Sequence, residues 1–363
     1  VTWSSIGPLT AMARWMSDWQ RLEAPDTVLD GFPHSLELLS SLGLIINVRN
    51  CVNFFHECFF DYLYARSFVH NNQSLVDLLT SSEQHLFRRT QSRQILEALR
   101  DNDQGRYLRE LGDILDSSSI RYHIKVAVAQ WLGALSSPTE NERDIVLRLD
   151  DDDERFPPLV RYALLSSKGW FPLLQKDGWL KAVLDGDRDR RRQDVLWWLS
   201  KIAGEHPSET VSLLNGWWDD DPKRGKSIID WFGFVRRQKP DRALLALCER
   251  VIRSNPKRLF GDDAQDRIEM LLATWVDKNT DDAAGVLQAL FDAWFVAHPG
   301  HHPFEHEPVH QFHAHSLGKI AEKSPKTFLS GTMEALSRSI DKINQRKDEK
   351  GYLKGFSIGT QYT

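Results

Sequence analysis

The feature that most constrains the fold of this chain is a pair of short helices that recurs along its C-terminal part. In each copy one helix ends in charged residues, a short turn follows, and a second, apolar helix begins. The turns fall at Pro207, Pro240, Asp281 and Pro325, so successive copies lie 33, 41 and 44 residues apart. A helix pair cannot bury its apolar face alone, and stacked pairs of about 40 residues are typical of HEAT-like solenoids. We therefore predict an all-α chain in which residues 137–363 form a HEAT/TPR-like α-solenoid.

A β-hairpin is predicted ahead of the repeated helices. Two β-rich runs, Leu44–Val48 and Cys51–Phe55, flank the two-residue polar turn Arg49-Asn50. The segment Pro33–Leu42 reads as a helix with proline at its start and glycine just after its end. Helix, hairpin, helix is the order found at the end of a winged helix, and we place that domain at residues 1–70.

Composition and charge exclude several classes of protein. The chain has 363 residues with 46 Lys+Arg against 51 Asp+Glu, and the formal charge of −5 excludes an overall basic nucleic-acid binder. The longest apolar run, Leu42–Val48, is interrupted by Gly43 and Asn47, so no membrane span is predicted. Three cysteines without framework spacing predict reduced thiols and a cytoplasmic location. Residues 71–136 are predicted to form a helical linker domain.

Two short motifs resemble catalytic signatures and fail on inspection. Arg224–Ser227 looks like the end of a phosphate-binding loop, but Asp220 stands where the loop needs glycine, and acidic residues precede it. His56-Glu57 begins like a zinc-peptidase helix, but Phe60 occupies the position of the second histidine. We therefore predict no catalytic residues in this chain.

A histidine cluster raises a metal-binding alternative. Seven of the thirteen histidines lie within residues 298–315, together with two glutamates. Neutral imidazoles and carboxylates bind zinc or nickel readily, and the candidate ligands are His302, His306, His310 and His313. The alternatives are a polar loop between helices and a loop that faces a partner, because catalytic metal ligands usually come from separated segments.

The most distinctive segment is Phe54–Phe68. We expect its apolar side chains to bury one helix face, namely those of Phe55, Phe59, Tyr62, Leu63 and Phe68. His56 and Glu57 then stand at the helix start, where free backbone N–H groups and the positive end of the helix dipole favour an anion such as phosphate. The alternative is that both residues only cap and pack the helix.

This segment resembles a known family. Phe-Phe-His-Glu-x-Phe-Phe-Asp-Tyr-x-x-Ala-Arg, at residues 54–66, is similar to the end of the winged-helix domain of STAND signalling ATPases, the NACHT-type and related bacterial proteins. In that family the histidine contacts the β-phosphate of bound ADP. The resemblance, which covers residues 32–135, implies that His56 contacts the nucleotide. It also implies that the ADP- or ATP-binding core lies upstream of Val1 and that this segment cannot hydrolyse ATP alone.

The resemblance implies a function as a sensor. The helical repeats are expected to bind a protein or peptide and thereby switch the upstream ATPase, in antiviral defence or signalling, with a ligand-induced homo-oligomer as one outcome. The expected anchors are exposed tryptophans, but the sequence does not decide which of these face outward: Trp170, Trp179, Trp198, Trp217 and Trp231. The alternative function is a HEAT-like scaffold without a nucleotide.

A winged helix also raises the alternative of DNA binding. Residues 1–70 contain four Arg, no Lys and seven Asp+Glu. The helix before the hairpin offers His34, Ser35 and Glu37, whereas phosphate and base contacts require Arg, Lys, Asn or Gln. This charge balance argues against a nucleic-acid partner.

Overall fold

The chain forms two compact units that are mostly helical. The computed structural model describes residues 6–71, 73–81, 83–151, 153–220, 224–238, 241–254, 256, 264–276, 280–297 and 314–345. The units comprise Val1–Asp177 and Gly178–Thr363. One small three-stranded antiparallel sheet lies in the first unit. The predicted helical character is therefore confirmed, while the domain boundaries predicted at residues 70 and 136 lie inside the first unit and stay predictions.

The first unit begins with a mixed helical and stranded segment. Its elements are α1 (Ile6–Trp19), β1 (Ala24–Pro25), a 3-10 turn (Asp26–Leu29), α2 (Ser35–Ser41), β2 (Ile45–Val48), β3 (Cys51–Phe54) and α3 (Glu57–His70). The strand order is β1-β3-β2, with both pairs antiparallel. The predicted hairpin is confirmed, because β2 and β3 pair through the turn at Arg49 and Asn50. The φ angles of these two residues are 53° and 62°, which a type I′ turn requires.

Helix α2 is shorter than the sequence predicted, for local reasons. His34 has a φ of 64° and interrupts the helical path, so the helix begins at Ser35. At the other end Gly43 takes a φ of 67°, and its N–H bonds to the carbonyl of Ser40 at 3.0 Å. The N–H of Leu44 reaches the carbonyl of Leu39, also at 3.0 Å. These two bonds form a Schellman motif, which directs the chain into β2.

The rest of the first unit is a run of helices that contact their next-but-one neighbours. The elements are α4 (Leu75–Thr80), α5 (Phe87–Asn102), α6 (Gln104–Asp116), α7 (Tyr122–Gly133), α8 (Glu140–Leu147), α9 (Pro158–Leu164), a 3-10 turn (Lys168–Trp170) and α10 (Phe171–Lys176). One series of contacts joins α3 to α5, α5 to α7 and α7 to α9, and a second joins α4 to α6 and α6 to α8.

The second unit repeats this arrangement. Its elements are α11 (Trp179–Asp185), α12 (Asp189–Ile202), α13 (Pro207–Asp220), α14 (Gly225–Val235), α15 (Arg242–Ser254), α16 (Ala264–Trp275), α17 (Thr280–Ala297), α18 (Ala314–Lys323) and α19 (Pro325–Gln345). One series joins α12, α14, α16 and α18 in order, and the other joins α11, α13, α15, α17 and α19. Pro207 and Pro325 begin the second helix of a pair, as predicted, whereas Pro240 lies outside the described residues.

Glycines allow some of these helices to touch backbone to backbone. A Cβ on Gly133 of α7 would overlap the carbonyl oxygen of Tyr162 in α9. A Cβ on Gly331 of α19 would lie 3.0 Å from the Ala284 carbonyl oxygen and 2.9 Å from the Leu287 side chain, both in α17. Both contacts join next-but-one helices, so a larger residue at either position would push the series apart.

Buried tryptophans hydrogen-bond to the ends of helices that precede them in the chain. The indole N–H of Trp170 donates to the Leu132 carbonyl at 2.9 Å, across 38 residues of sequence. Trp275 donates in the same way to the Arg236 carbonyl at 3.1 Å, across 39 residues, and Trp217 donates to the carbonyl of Leu184. The last carbonyls of a helix lack intrahelical partners, so each indole both fills space and caps a helix.

This arrangement answers the question that the sequence left open about tryptophan anchors. The side chains of Trp170, Trp198, Trp217 and Trp231 are fully buried, so none of these four is an exposed anchor. Trp179 is half-buried. Among the described residues of the second unit, the large exposed aromatic side chains are those of Trp197 and Phe234.

Candidate functional site

The candidate site is the junction between β3 and α3, where His56 is the N-cap of the helix. His56 has an extended backbone, with φ −149° and ψ 138°, and its Nδ1 accepts the N–H of Cys58 at 3.2 Å. The N–H of Phe59 bonds to the carbonyl of His56 at 3.0 Å. Two of the first amides of α3 are therefore occupied by His56 itself. The nest of free amides that the sequence suggested for an anion is correspondingly smaller.

The cap fixes what the imidazole offers to a ligand. Because Nδ1 accepts a hydrogen bond, the neutral ring carries its proton on Nε2, an assignment made from the hydrogen-bond geometry. The side chain of His56 is exposed. His56 can therefore cap α3 with one nitrogen and donate a hydrogen bond to an anion with the other. Capping and nucleotide contact, which the sequence analysis treated as alternatives, are compatible in this geometry.

Contacts between aromatic rings hold the junction of β3 and α3 in place. Phe54 is buried, and its ring lies 5.7 Å from that of Phe59, edge to face, and 6.2 Å from that of Phe60. Phe55 lies 5.5 Å from Phe59 on the outer side. Such contacts add to the free energy of burial, so the start of α3 is firmly placed against the sheet.

The buried face of α3 differs from the predicted one. Phe55 and Tyr62 are 52% and 51% exposed, whereas Phe60 and Tyr64 are buried together with Leu63 and Phe68. Alternation along β3 places Phe54 inward and therefore Phe55 outward, and this sets the rotation at which α3 begins. The prediction was wrong for Phe55 because it counted this residue as part of the helix, whereas Phe55 follows β3 and precedes α3.

Asp61 gives the site an unusual buried carboxyl group. Burial in α3 and the charge of Glu57, one turn earlier, raise the pKa of Asp61 from 3.8 to about 6, and Arg93 of α5 partly opposes them. This acid belongs to the family-like pattern at residues 54–66. Its burial indicates a structural role in holding α3 against its neighbours, since its carboxyl is not presented at the surface.

An apolar surface lies beside His56. Five large side chains in the segment from α2 to the residue after β3 are about half exposed: Leu38, Leu42, Ile46, Val48 and Phe55. Helix α2 contacts β2, and the Phe55 ring lies 6.4 Å from that of His56. We refer to these five residues as the apolar neighbourhood. Exposed apolar neighbourhoods of this kind usually mark an interaction site.

The segment that resembles a phosphate-binding loop lies at the start of α14. Gly225, Lys226 and Ser227 form the first turn of α14, and Arg224 donates to Asp185 Oδ1 at 2.6 Å and to the Trp217 carbonyl at 2.9 Å. The phosphate-loop resemblance at this place is thus part of an ordinary helix start.

The histidine cluster lies mostly outside the described residues. His302, His306, His310 and His313 are not among them. In the part of the chain that the structure describes, no three or more His, Cys, Asp or Glu side chains are grouped to hold a metal ion. The described helices also include none with the length and apolar character needed to cross a bilayer.

Sequence reasoning missed one buried polar cluster, centred on Glu142. Its Oε1 accepts Arg100 Nε and the Tyr107 hydroxyl, both at 2.6 Å, and its Oε2 accepts the Thr139 N–H at 2.7 Å. Burial favours the neutral acid, but these hydrogen bonds outweigh it and lower the pKa of Glu142. Burial and the charge of Glu142 raise the pKa of Tyr107. The shared hydrogen bonds to the Glu142 carboxylate thereby join α5, α6 and the start of α8.

A sequence signal for this cluster exists. Thr139 and Glu142 form a reciprocal capping box at the start of α8. The pattern of threonine followed three residues later by glutamate predicts that box. The pattern does not predict that Arg100 and Tyr107, from α5 and α6, converge on the same carboxylate.

We compared the chain with known protein families, curated proteins and solved structures. No protein-family model, no curated protein and no solved structure matches the chain.

Proposed function

We propose that this chain is the regulatory part of a STAND-type signalling ATPase. In this proposal a winged-helix end contacts nucleotide held by an upstream module, and an α-solenoid binds a protein or peptide that switches the ATPase. The observation that carries the proposal is His56, an exposed imidazole at a helix start whose free nitrogen is set as a hydrogen-bond donor. A donor in that position suits the phosphate of a nucleotide.

The first segment supports the winged-helix part of the proposal. It combines three α-helices and a 3-10 turn with a three-stranded antiparallel sheet that includes a hairpin. The apolar neighbourhood that includes Leu38, Ile46 and Phe55 is also what an adjoining module would cover. A nucleotide-binding module packed there would bring its phosphates toward His56.

Two observations support the solenoid part. The first is the double series of next-but-one contacts, which is found within each unit. The second is the spacing of polar contacts between helices, which stays close to the repeat length. Arg100 and Glu142 are 42 residues apart, Arg253 and Asp292 are 39 apart, and Arg250 and Asn215 are 35 apart. Stacked pairs of similar length produce such a constant separation.

The proposed mechanism is a shift between two states. ADP contacted by His56 favours a closed state, and a ligand that binds the helical repeats better in an open state moves the equilibrium. Moving a two-state protein from one side to the other requires a differential affinity of about 5 kcal/mol. Linkage makes the effect reciprocal, so ADP should weaken the binding of that ligand by the same factor.

The experiment is nucleotide retention by the full-length protein. Purified wild-type protein is denatured and the released ADP is quantified, alongside His56→Ala and the control His70→Ala, which removes an exposed histidine at the other end of α3. We expect retained ADP in the wild type and in the control and a clear loss in His56→Ala. Equal ADP in all three proteins, or none in the wild type, contradicts the proposal.

A scaffold without nucleotide is the second candidate. It is favoured by the cap itself, because a histidine that satisfies the Cys58 N–H already has a structural role. The scaffold predicts that nucleotide is absent from the purified wild-type protein.

A further inference from the structure

Three large apolar side chains are exposed at equivalent places on three next-but-one helices of the second unit. Trp197 lies on α12, Phe234 on α14 and Met270 on α16, and they are 45%, 56% and 42% exposed. Their sequence separations of 37 and 36 residues match the repeat. Helix α14 contacts both α12 and α16, so the three residues form one stripe across the stack. We refer to Trp197, Phe234 and Met270 as the apolar stripe.

Lys201 lies at one end of the stripe. The Lys201 ammonium is 3.3 Å from the centre of the Trp197 ring, a cation–π contact. Burial against the ring lowers the pKa of Lys201. Within the described ranges no carboxylate pairs with this ammonium. A partly desolvated, unpaired cation next to an exposed ring favours a carboxylate supplied by another molecule.

The other charges along the stripe leave the same imbalance. Arg236 Nη1 donates to the Met270 sulfur at 3.1 Å, and Arg237 beside it is exposed. The acids that lie about one turn earlier on the three helices already have partners: Asp194, Asp230 and Asp266. The uncompensated charges at the stripe are therefore positive, and they lie toward the C-terminal ends of α12 and α14.

We propose that the apolar stripe is a docking surface for an extended acidic peptide segment with a large apolar side chain at every third position. Packed helices lie 8–10 Å apart. A polyproline II segment advances about 9 Å in three residues, so successive apolar side chains would reach successive helices. Carboxylates of the peptide pair with Lys201 and Arg237. This inference rests on the proposed function, since it names the kind of ligand that the receptor takes.

The test measures peptide binding to the full chain by fluorescence anisotropy. The probe is a labelled peptide of four Leu-Pro-Glu repeats, and its matched control has lysine in place of glutamate. The protein variants are Trp197→Ala, Phe234→Ala and Lys201→Gln. The control variant Leu329→Ala removes an equally exposed apolar side chain from α19, outside the stripe. Thermal melting followed by circular dichroism checks that all variants are folded. We expect them to be folded because the substituted side chains are exposed.

We expect the acidic peptide to bind and the basic one not to bind. Each stripe variant should weaken binding at least about tenfold, as a central apolar contact does, and Leu329→Ala should leave it unchanged. Added salt should weaken binding to the wild type more than binding to Lys201→Gln.

Several results overturn the inference. The inference fails if the acidic peptide does not bind at up to millimolar concentration, or if both peptides bind equally well. It also fails if the stripe variants bind the acidic peptide with the same affinity as Leu329→Ala. Self-association of the wild type that Phe234→Ala abolishes would assign the stripe to a second copy of the chain. None of these results touches nucleotide retention by His56, so failure of the stripe and failure of the proposed function are distinguishable.

Discussion

The indole caps give the sharpest test of how the helices are held together. Trp275 and Trp231 are equally buried in the second unit, but their indole N–H groups differ. That of Trp275 donates to the Arg236 carbonyl at the end of α14. That of Trp231 has no hydrogen-bond partner among the described residues. Replacing either with phenylalanine removes the same atoms, so the pair isolates the hydrogen bond from the loss of volume.

The expected difference follows from these contacts. Each substitution removes part of a buried side chain and leaves a small cavity, at a cost of about 2 kcal/mol. Trp275→Phe also leaves the Arg236 carbonyl without its donor, which adds about 1–2 kcal/mol. Trp231→Phe loses no hydrogen bond. Trp217→Phe should fall between them, because the Leu184 carbonyl also accepts Arg192 Nε at 3.1 Å.

The assay is urea unfolding of the full chain, followed by far-ultraviolet circular dichroism so that the loss of a fluorophore does not matter. We expect Trp275→Phe to be less stable than Trp231→Phe by about 1–2 kcal/mol. Equal destabilisation of the two variants, or a larger loss in Trp231→Phe, would refute the argument that indole caps join next-but-one helices.

Two further predictions concern buried carboxyl groups. Hydrogen bonds hold the pKa of Glu142 below its ordinary value of 4.5 despite burial, so its contribution is present at neutral pH and is lost as the pH falls through the lowered pKa. Glu142→Gln should lower the free energy of unfolding by about 3 kcal/mol at neutral pH. Urea titrations at several pH values should show a smaller acid-induced loss of stability than in the wild type. An unchanged stability at neutral pH would contradict this. Asp61 behaves oppositely, because burial raises its pKa from 3.8 to about 6 and stability therefore falls as the pH rises across that window. Asp61→Asn should raise the free energy of unfolding by about 1 kcal/mol at neutral pH, after allowance for solvent screening, and should leave it unchanged near pH 4. A lower stability at neutral pH in the same titration would show that the ionised carboxylate is needed.

The sequence predicted the elements that depend on local patterns. The hairpin was found because two β-rich runs flank Arg49 and Asn50, and these residues accept the positive φ that the turn needs. The helices were found from periodic apolar residues and from the prolines that begin α13 and α19. Such signals lie within one element, so a single sequence contains them.

The features that sequence analysis missed depend on contacts between elements. Periodicity shows that Trp170 and Trp217 have apolar neighbours, but it does not show which carbonyl an indole N–H reaches. Tyr107 and Glu142 meet only because α6 and α8 stack. At the candidate site the motif indicated His56 correctly as a helix-start residue, but the rotation of α3, which exposes Phe55, is set by β3.

The central claim is that His56 contacts nucleotide and does not serve only as a helix cap. Asparagine is also a strong N-cap residue, so His56→Asn keeps the cap and removes the imidazole donor, whereas His56→Ala removes both. The decisive measurement is the dissociation rate of fluorescently labelled ADP from the full-length wild type and these two variants. We predict that both variants release ADP about 10–100-fold faster than the wild type, the effect of losing a hydrogen bond to a charged phosphate. A wild-type rate in His56→Asn with fast release only in His56→Ala would show that His56 acts through the cap alone.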